Sequence, residues 1–486
     1  MLRTIRSLPF DDKNWRRINM RSVSHLLGAE MIHNLYNRHW PRINSLRFRH
    51  TVTTYKHGIV ESYAPIDEWQ YLQNWLSKKF IELDPILIRE IEAIMSPDYK
   101  FVDEIIGRIN KLDLSSVSNE TLATLLIDIM DYPLGDIYKL NVVQIEYALN
   151  YALHSILQAY EPNLEDRNLL LAKLISPGEL TVSQIEEVAF SRVVELSLST
   201  PENNYDQDVL SALDQHHDQF AATHCAYGEN PPTVEDYRNK LQLAIQSAKP
   251  LITETEALAH VESQYKQSKA MLTRLNDRRL DVLCDLMSRI GVFRDRNKAK
   301  LGETVVRRLE ILDEISRRTH VPIAEVNLYL MRELTDLLEN NTKISSEVLK
   351  RRSEEGVSFV RNEDVTDPVF ISIDIADQQS VIPGICASPG KVEGSVKVVL
   401  SKDDIDKVSP SDIMVAIGTD FDLLEIMNMC SGIITEEGGL LSHASVVSRE
   451  LKKPCLIGVA NATKLLKDGD TIVLDATEGK ILLRDT

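Results

Sequence analysis

The chain has 486 residues, of which 43% are hydrophobic and 26% charged, a composition typical of a soluble globular protein of several domains. Its formal net charge of −18 argues against a general affinity for nucleic acid or anionic membrane, because both carry phosphates that repel it. Five scattered cysteines without a Cys-x-x-Cys pair indicate free thiols in a reducing compartment. No apolar run is long enough to span a membrane and no apolar secretory leader opens the sequence, so we expect a cytoplasmic protein.

The N-terminal segment, residues 1–110, carries no sustained periodicity. Aromatic and basic residues are mixed in it, among them Trp15, Trp40 and Trp69. A small segment of mixed secondary structure and a set of irregular helices both fit this pattern, because neither a helical nor a strand period dominates. We leave both alternatives open and assign no function to the segment.

Residues 111–352 are predicted to form a helical domain. Between Leu122 and Ile129, apolar residues recur at the i, i+3, i+4, i+7 spacing of one helix face. Thr181 and Gln184 match a capping box at the start of a further helix. Long, charged helical patterns continue to the end of the domain.

Glycine content separates the last quarter of the chain from the rest. Nine of the 19 glycines lie before residue 370 and ten lie from Gly384 onward, which indicates a C-terminal region rich in tight turns. Residues 353–380 have the character of a linker with some strand-forming pieces. Residues 381–486 alternate short β-type runs with two helical pieces, and this alternation predicts a compact α/β domain.

One stretch of this domain carries residues suited to phosphoryl chemistry. Gly438 and Gly439 allow an unobstructed turn, and a helix is predicted to begin near Ser442 and His443. The free N–H groups at a helix start stabilise an anion, and a neutral imidazole is a nucleophile, so His443 is a candidate phosphoryl carrier. Ser442 is a candidate donor to the phosphoryl oxygens. Arg449 projects from another helix face and would reach phosphate only in a suitable partner geometry.

The sequence around His443 resembles the phosphohistidine swivelling domain, or mobile domain, of the PEP-utilising enzymes. That family includes pyruvate phosphate dikinase, phosphoenolpyruvate synthase, enzyme I of the sugar phosphotransferase system and rifampicin phosphotransferase. The resemblance covers about residues 381–486, and residues 294–352 more weakly resemble the helical segment that precedes this domain in rifampicin phosphotransferase. The stretches that carry it are Gly438-Gly-Leu-Leu-Ser-His443-Ala, Ser448-Arg-Glu450, Pro454-Cys-Leu-Ile-Gly458, Ala387-Ser-Pro-Gly390 with Gly394, Asp412-Ile-Met-Val-Ala416 with Thr419, and Asp475 with Gly479.

The resemblance implies a fold and an activity. The fold is a multidomain chain with a large, mostly α-helical N-terminal region and a compact C-terminal α/β swivelling domain. The activity is that of a phosphotransferase component in which His443 carries a phosphoryl group and Gly438 and Gly439 form the phosphate loop. A catalytically silent domain in a scaffold or binding protein is the alternative. Leu441 stands where dikinases often have a regulatory threonine, so that regulation is not expected here.

The donor site of a complete dikinase is not recognisable in the sequence. Residues 1–370 contain no Gly-x-x-x-x-Gly-Lys-Ser/Thr phosphate loop and are mostly helical in pattern. We therefore expect a separate ATP-grasp protein to supply phosphoryl groups from ATP, or PEP to be the donor, and a small molecule to accept them. No bound cofactor is expected in the chain itself, while Mg²⁺ would accompany a nucleotide partner. Neither nucleic acid nor a membrane is an expected partner.

A histidine-rich stretch in the helical domain allows three interpretations. His216, His217, His224 and Cys225 place possible metal ligands close together, but no second cluster completes a tetrahedral set, so no metal site is predicted. By analogy with rifampicin phosphotransferase, whose helical region bears the acceptor pocket, His217, His224 and Tyr227 are candidates to line an acceptor pocket. A surface loop with partly buried rings is the plain structural interpretation.

Two glutamates precede the glycine pair. Glu436 and Glu437 are candidates for general acid or base groups. Residues at such a place more often cap or orient a loop. The sequence leaves both roles open.

Overall fold

A computed structural model shows an N-terminal sheet, a helical region and a C-terminal α/β domain. No helix among the residues that the structure describes is long and apolar enough to cross a membrane. The described residues are 3–4, 15–22, 26–27, 30, 50–56, 59–95, 99–131, 142–199, 206–225, 231–247, 251–361, 368–370, 381–400, 402–419, 423–436, 442–459 and 462–484.

A six-stranded sheet joins the beginning of the chain to residues that come much later. Its strands are β1 (Arg3–Thr4), β2 (Trp15–Ser22), β3 (Thr51–Lys56), β4 (Ile59–Pro65), β5 (Val357–Arg361) and β6 (Pro368–Phe370). They lie in the order β1-β6-β5-β3-β4-β2. β3 is antiparallel to both β4 and β5, so Val52 lies opposite Tyr63 on one side and Val360 on the other.

The segment predicted as a linker, residues 353–380, therefore supplies strands to this sheet. β5 pairs with β3, and β6 pairs with β1, so both strands are bonded to the N-terminal segment. A strand pattern indicates local conformation but does not identify a partner distant in sequence, which is why the pairing was not predicted. In the described part of residues 1–110, strands are followed by three helices.

Fourteen helices follow one another in the described part of the helical region. They are α1 (Ile66–Ile81), α2 (Pro85–Ile94), α3 (Lys100–Asn110), α4 (Asn119–Asp131), α5 (Val142–Leu157), α6 (Leu164–Leu174), α7 (Val182–Ser199), α8 (Gln207–Phe220), α9 (Val234–Ser247), α10 (Glu254–Leu275), α11 (Arg278–Thr319), α12 (Ile323–Val326), α13 (Met331–Asn340) and α14 (Ser346–Glu354). With 42 residues, α11 is the central helix, and it packs against α3, α4, α5, α7 and α13.

Local sequence signals account for individual helices of this region. Leu122, Leu125, Leu126 and Ile129 are buried on one face of α4, as predicted. The predicted capping box before α7 is confirmed, because the Gln184 N–H donates to Thr181 Oγ1 over 3.2 Å and the Thr181 N–H donates to Gln184 Oε1 over 3.0 Å. Each bond gives a partner to a backbone N–H group that the helix start leaves without one.

The C-terminal domain is built on an eight-stranded mixed sheet. Its strands are β7 (Val381–Pro383), β8 (Ile385–Ser388), β9 (Lys391–Val399), β10 (Ile413–Ala416), β11 (Gly432–Thr435), β12 (Cys455–Ile457), β13 (Thr471–Asp475) and β14 (Lys480–Leu483). They lie in the order β7-β14-β13-β9-β10-β11-β12-β8, and β9 to β12 are parallel. The helices are α15 (Leu424–Met429), α16 (His443–Glu450) and α17 (Ala462–Leu465). The predicted fold class, a large helical region and a compact α/β domain, is confirmed.

Candidate functional site

Three parallel strands of the C-terminal sheet end along one edge. β10, β11 and β12 are parallel neighbours, and their last residues are Ala416, Thr435 and Ile457. We call these strand ends, with the residue that follows each of them, the carboxyl edge. Ligands of open α/β sheets bind beyond the carboxyl ends of the strands. α16 begins at His443, in the connection from β11 to β12, so His443 comes from this edge.

Ser442 caps the N-terminus of α16. Its backbone is extended, with φ −70° and ψ 161°, and its Oγ accepts a hydrogen bond from the Ser445 N–H over 3.4 Å. The hydroxyl oxygens of Ser442 and Ser445 lie 3.1 Å apart, and Ser445 is fully buried. The helix start predicted near His443 is confirmed. The side chain of His443, and the whole of Gly438 and Gly439, lie outside the described residues.

Arg449 lies in the last turn of α16, at the opposite end of the helix from His443. Its Nη1 donates to the carbonyl oxygen of Ala387 over 3.4 Å. The guanidinium group is largely buried, and this burial lowers the pKa of Arg449 below the usual arginine value. The side chain thus connects α16 to β8, and the structure does not bring it to the helix end that would meet a phosphoryl group.

Glu436 follows β11 directly and is buried. Its Oε1 accepts hydrogen bonds from the backbone N–H of Thr463 over 2.6 Å and from Thr463 Oγ1 over 2.5 Å. Thr463 is in the first turn of α17, so the carboxylate occupies the position of an anion at a helix N-terminus. The sequence left two roles open for Glu436, general acid or base catalysis and orientation of the loop. These contacts agree with orientation of the loop. Glu437 lies outside the described residues.

The helical region reaches the carboxyl edge at Gly458, the residue after β12. Gly458 has a φ of +67°, in the left-handed region that favours glycine. A Cβ at this position would lie 2.7 Å from the hydroxyl oxygen of Tyr147, which is on α5. Next to Tyr147, Glu146 forms an ion pair of 2.5 Å with Arg294 of α11. The edge that bears His443 therefore lies against a polar part of the helical region.

The histidine-rich stretch surrounds a buried carboxylate, that of Glu186 on α7. His224 Nε2 lies 2.9 Å from Glu186 Oε2, while Lys240 Nζ lies 3.2 Å and His216 Nε2 3.6 Å from Oε1. Burial alone would raise the pKa of Glu186, but Lys240 and the two imidazoles outweigh it and hold the pKa well below its usual range. Burial lowers the pKa of His216, against the opposite effect of Glu186.

The three residues considered for an acceptor pocket are not equivalent. His224 contacts Glu186, whereas His217 lies 3.1 Å from Asp218 through Nδ1. Tyr227 lies outside the described residues. In the described ranges, no group of three or more His, Cys, Asp or Glu side chains has an arrangement that could hold a metal ion.

Three residues of these clusters, Thr463, Tyr147 and Glu186, are not identified by any sequence pattern. Thr463 contacts Glu436, Tyr147 lies at Gly458, and Glu186 lies among the histidines. Each partner is distant in sequence, so no helical or strand period links it to the residue it contacts.

The C-terminal domain is similar to known proteins. Residues 408–479 match the family described as PEP-utilising enzyme, mobile domain. A probable phosphoenolpyruvate synthase of Methanothermobacter thermautotrophicus is 38% identical over 108 residues, which are 22% of this chain and 16% of the synthase. A rifampicin phosphotransferase of Bacillus cereus is 26% identical over 259 residues, which are 50% of this chain and 28% of that enzyme. An Enzyme I protein solved by NMR is 12% identical, with 67% of this chain and 81% of that chain covered, but its TM-score of 0.16 supports no argument.

These alignments cover only 16% of the synthase and 28% of the phosphotransferase. The second alignment is longer than the C-terminal domain and therefore includes part of the helical region. The match to the mobile domain of the PEP-utilising enzymes lies within the C-terminal domain of the chain.

Proposed function

We propose that the chain is a phosphotransferase component in which His443 carries a phosphoryl group to a small acceptor. The observation that carries the proposal is the place of His443 as the first residue of α16, capped by Ser442, in the connection that leaves the carboxyl edge after β11. The first-turn N–H groups of a helix and its dipole stabilise negative charge at that point. The match of residues 408–479 to the mobile domain of PEP-utilising enzymes supports the same role.

Two transfers make up the proposed reaction. An imidazole nitrogen of His443 attacks the donor phosphorus, the P–O bond to the donor breaks, and its electron pair leaves with the donor oxygen. The hydroxyl oxygen of the acceptor then attacks the phosphorus, the N–P bond breaks, and its electron pair returns to the imidazole. The acceptor's proton passes to a base. The Ser445 hydroxyl can donate to Ser442 Oγ over 3.1 Å, which leaves the Ser442 hydroxyl proton for a phosphoryl oxygen.

The helical region is the proposed holder of the acceptor. Tyr147 of α5 lies against Gly458 at the carboxyl edge, so this region is next to the carrier domain where the histidine is presented. The alignment with a rifampicin phosphotransferase, which includes part of the helical region, agrees with this assignment. His217, His224 and Tyr227 remain candidates to line the pocket, and the carboxylate of Glu186 would hold His224 in place.

The proposed donor is ATP, used by a separate ATP-grasp protein, with PEP as the other candidate. A nucleotide partner would bring Mg²⁺, which neutralises phosphate charge during transfer. Residues 1–370 contain no Gly-x-x-x-x-Gly-Lys-Ser/Thr nucleotide loop, as described above, so the proposal places the donor site outside them. A catalytically silent scaffold is the competing function, and it predicts no phosphorylation from either donor.

Incubation with labelled donors tests the proposal. The protein is mixed with ³²P-labelled PEP, or with β- and γ-labelled ATP and an ATP-grasp protein encoded beside it. We expect label that is lost in acid and stable in base, as a phosphorus–nitrogen bond requires, and we expect His443→Ala to abolish it. The matched control is His260→Ala, because His260 is an exposed histidine on α10. His260→Ala should label like the native protein, whereas label that persists in His443→Ala, or no label from any donor, contradicts the proposal.

A further inference from the structure

We propose that Glu436 is a positioning residue that fixes the start of the chain segment leading to His443. The proposal rests on the carrier function proposed for His443. In this role the Glu436 carboxylate contacts neither donor nor acceptor and transfers no proton. It acts through Thr463, by tying the end of β11 to the start of α17.

The Glu436 side chain is buried and held by two hydrogen bonds. The residue is only 6% exposed, and one carboxylate oxygen, Oε1, accepts both the Thr463 N–H over 2.6 Å and the Thr463 hydroxyl over 2.5 Å. Charge-assisted hydrogen bonds of this kind are stronger than neutral ones. A buried carboxylate with two close donors is poorly placed to exchange a proton with a substrate, which separates a positioning role from general acid or base catalysis.

Backbone bonds connect the same point to both neighbouring strand ends. The Glu436 N–H donates to the Ala416 carbonyl oxygen over 3.1 Å, at the end of β10. The Val459 N–H donates to the Thr435 carbonyl oxygen over 3.0 Å, just after β12. These bonds, together with the bond from the Glu436 carboxylate to Thr463, connect the chain at the ends of β10, β11 and β12 around Glu436.

The described residues on either side of the connection to His443, Glu436 and Ser442, are each held by contacts of their own. At its far end, Ser442 caps α16, and Arg449 connects the last turn of that helix to Ala387 of β8. Loss of the Glu436 carboxylate removes the side-chain bonds of the near anchor to Thr463, while its backbone bonds and the far anchor remain. Because a displacement of about 1 Å at a reacting group can cost on the order of a hundredfold in rate, we expect a large effect on the reactivity of His443.

A small chemical donor separates this effect from partner binding. Phosphoramidate needs no partner protein: the His443 imidazole attacks its phosphorus, the P–N bond to the amino group breaks, and ammonia leaves with a proton. We expect Glu436→Ala to lower the rate of His443 phosphorylation on the order of a hundredfold. Glu436→Gln should stay within about threefold of the native rate, because its carbonyl oxygen can accept from the same two neutral donors.

Substitutions at Thr463 examine the partner of the carboxylate. Thr463→Val removes the hydroxyl donor and keeps the backbone donor. We therefore expect a rate of His443 phosphorylation between the rates of Glu436→Ala and Glu436→Gln. Thr463→Ser keeps both donors and should react at the native rate. The two variants also test the proposal if Glu436→Ala does not fold.

Asp412→Ala is the matched control, because it should lower the stability of the domain without displacing His443. Asp412 is equally buried, and its Oδ2 accepts the Ser409 N–H over 2.8 Å, but it precedes β10 at the opposite edge of the sheet. We expect a lowered melting temperature and a native labelling rate. The NMR chemical shifts of the His443 imidazole nitrogens should move in Glu436→Ala and stay native in Asp412→Ala.

Three results would overturn the positioning role. The first is a native labelling rate in Glu436→Ala, and the second is a labelling rate in Asp412→Ala as low as that of Glu436→Ala. The third is a labelling rate in Glu436→Gln as low as that of Glu436→Ala, which would indicate proton transfer by the carboxylate. Failure of the carrier function is a different result. In that case the native protein takes no label at His443 from phosphoramidate, and the positioning role is rejected with it.

Discussion

The carrier role proposed for His443 requires that the first turn of α16 present free N–H groups to an anion, and Ser442 caps this turn. Its Oγ accepts a hydrogen bond from the Ser445 N–H, and the other first-turn N–H groups can bind an anion. Ser445 is buried beneath it, with the two hydroxyl oxygens 3.1 Å apart. Ser442 thus caps the helix, and when the Ser445 hydroxyl donates to Ser442 Oγ, the Ser442 hydroxyl can donate to a phosphoryl oxygen.

Replacement of Ser442 separates these tasks. Ser442→Ala should destabilise the C-terminal domain by about 1 kcal/mol, the usual cost of losing a helix N-cap, and should shorten the lifetime of phosphorylated His443. Ser442→Thr keeps a capping hydroxyl and should preserve both properties. Thermal unfolding and the decay of acid-labile label at neutral pH measure the two effects. A native label lifetime in Ser442→Ala would exclude a contact between the Ser442 hydroxyl and the phosphoryl group.

At the scale of single elements, α5 combines a contact to the carboxyl edge with a buried ionisable group. Tyr147, near its start, meets the carboxyl edge at Gly458, and Glu146 pairs with Arg294 of α11. Two turns later, burial and the nearby Arg167 lower the pKa of His154 from 6.5 to about 4. The imidazole is therefore neutral in the folded protein at neutral pH, and Arg167 Nε lies 3.4 Å from its Nδ1.

The His154 pKa implies a loss of stability in acid. Because the folded protein holds His154 neutral while the unfolded chain protonates it, stability falls as the pH drops from 6.5 to about 4 and changes no further below that. The full contribution of this residue is about 3 kcal/mol. His154→Gln should flatten this part of the curve of urea-unfolding midpoint against pH. The exposed His260→Gln is the control and should keep the native slope; equal slopes in all three proteins would contradict the assignment.

At the scale of the whole molecule, local features were predictable and distant contacts were not. The buried face of α4, the Thr181–Gln184 capping box and the helix start at His443 all follow from residues within one or two turns of each other. The pairing of β5 with β3, and the approach of Tyr147 to Gly458, join segments that share no sequence period. The motif around His443 is recognisable in the sequence because its residues are contiguous, whereas Thr463, the partner of Glu436, comes from another connection of the sheet.

The contact between the helical region and the carboxyl edge can be measured by a double-mutant cycle. Gly458→Ala should cost about 1–2 kcal/mol for the left-handed backbone, and more because its Cβ would crowd the Tyr147 hydroxyl. Tyr147→Ala removes the crowding but not the backbone strain. Unfolding of the two single variants and the double variant should give a coupling energy of about 1 kcal/mol. Additive effects would contradict a contact between these residues in solution.

The position of the phosphoryl group tests the proposed function most directly. The protein is incubated with PEP, or with ATP and an ATP-grasp protein, then digested at neutral pH and sequenced by mass spectrometry under conditions that preserve phosphorus–nitrogen bonds. We expect the phosphoryl group on the imidazole of His443 and on no other residue. A phosphoryl group on a different side chain, or an unmodified His443 after exposure to both donors, would contradict the carrier function.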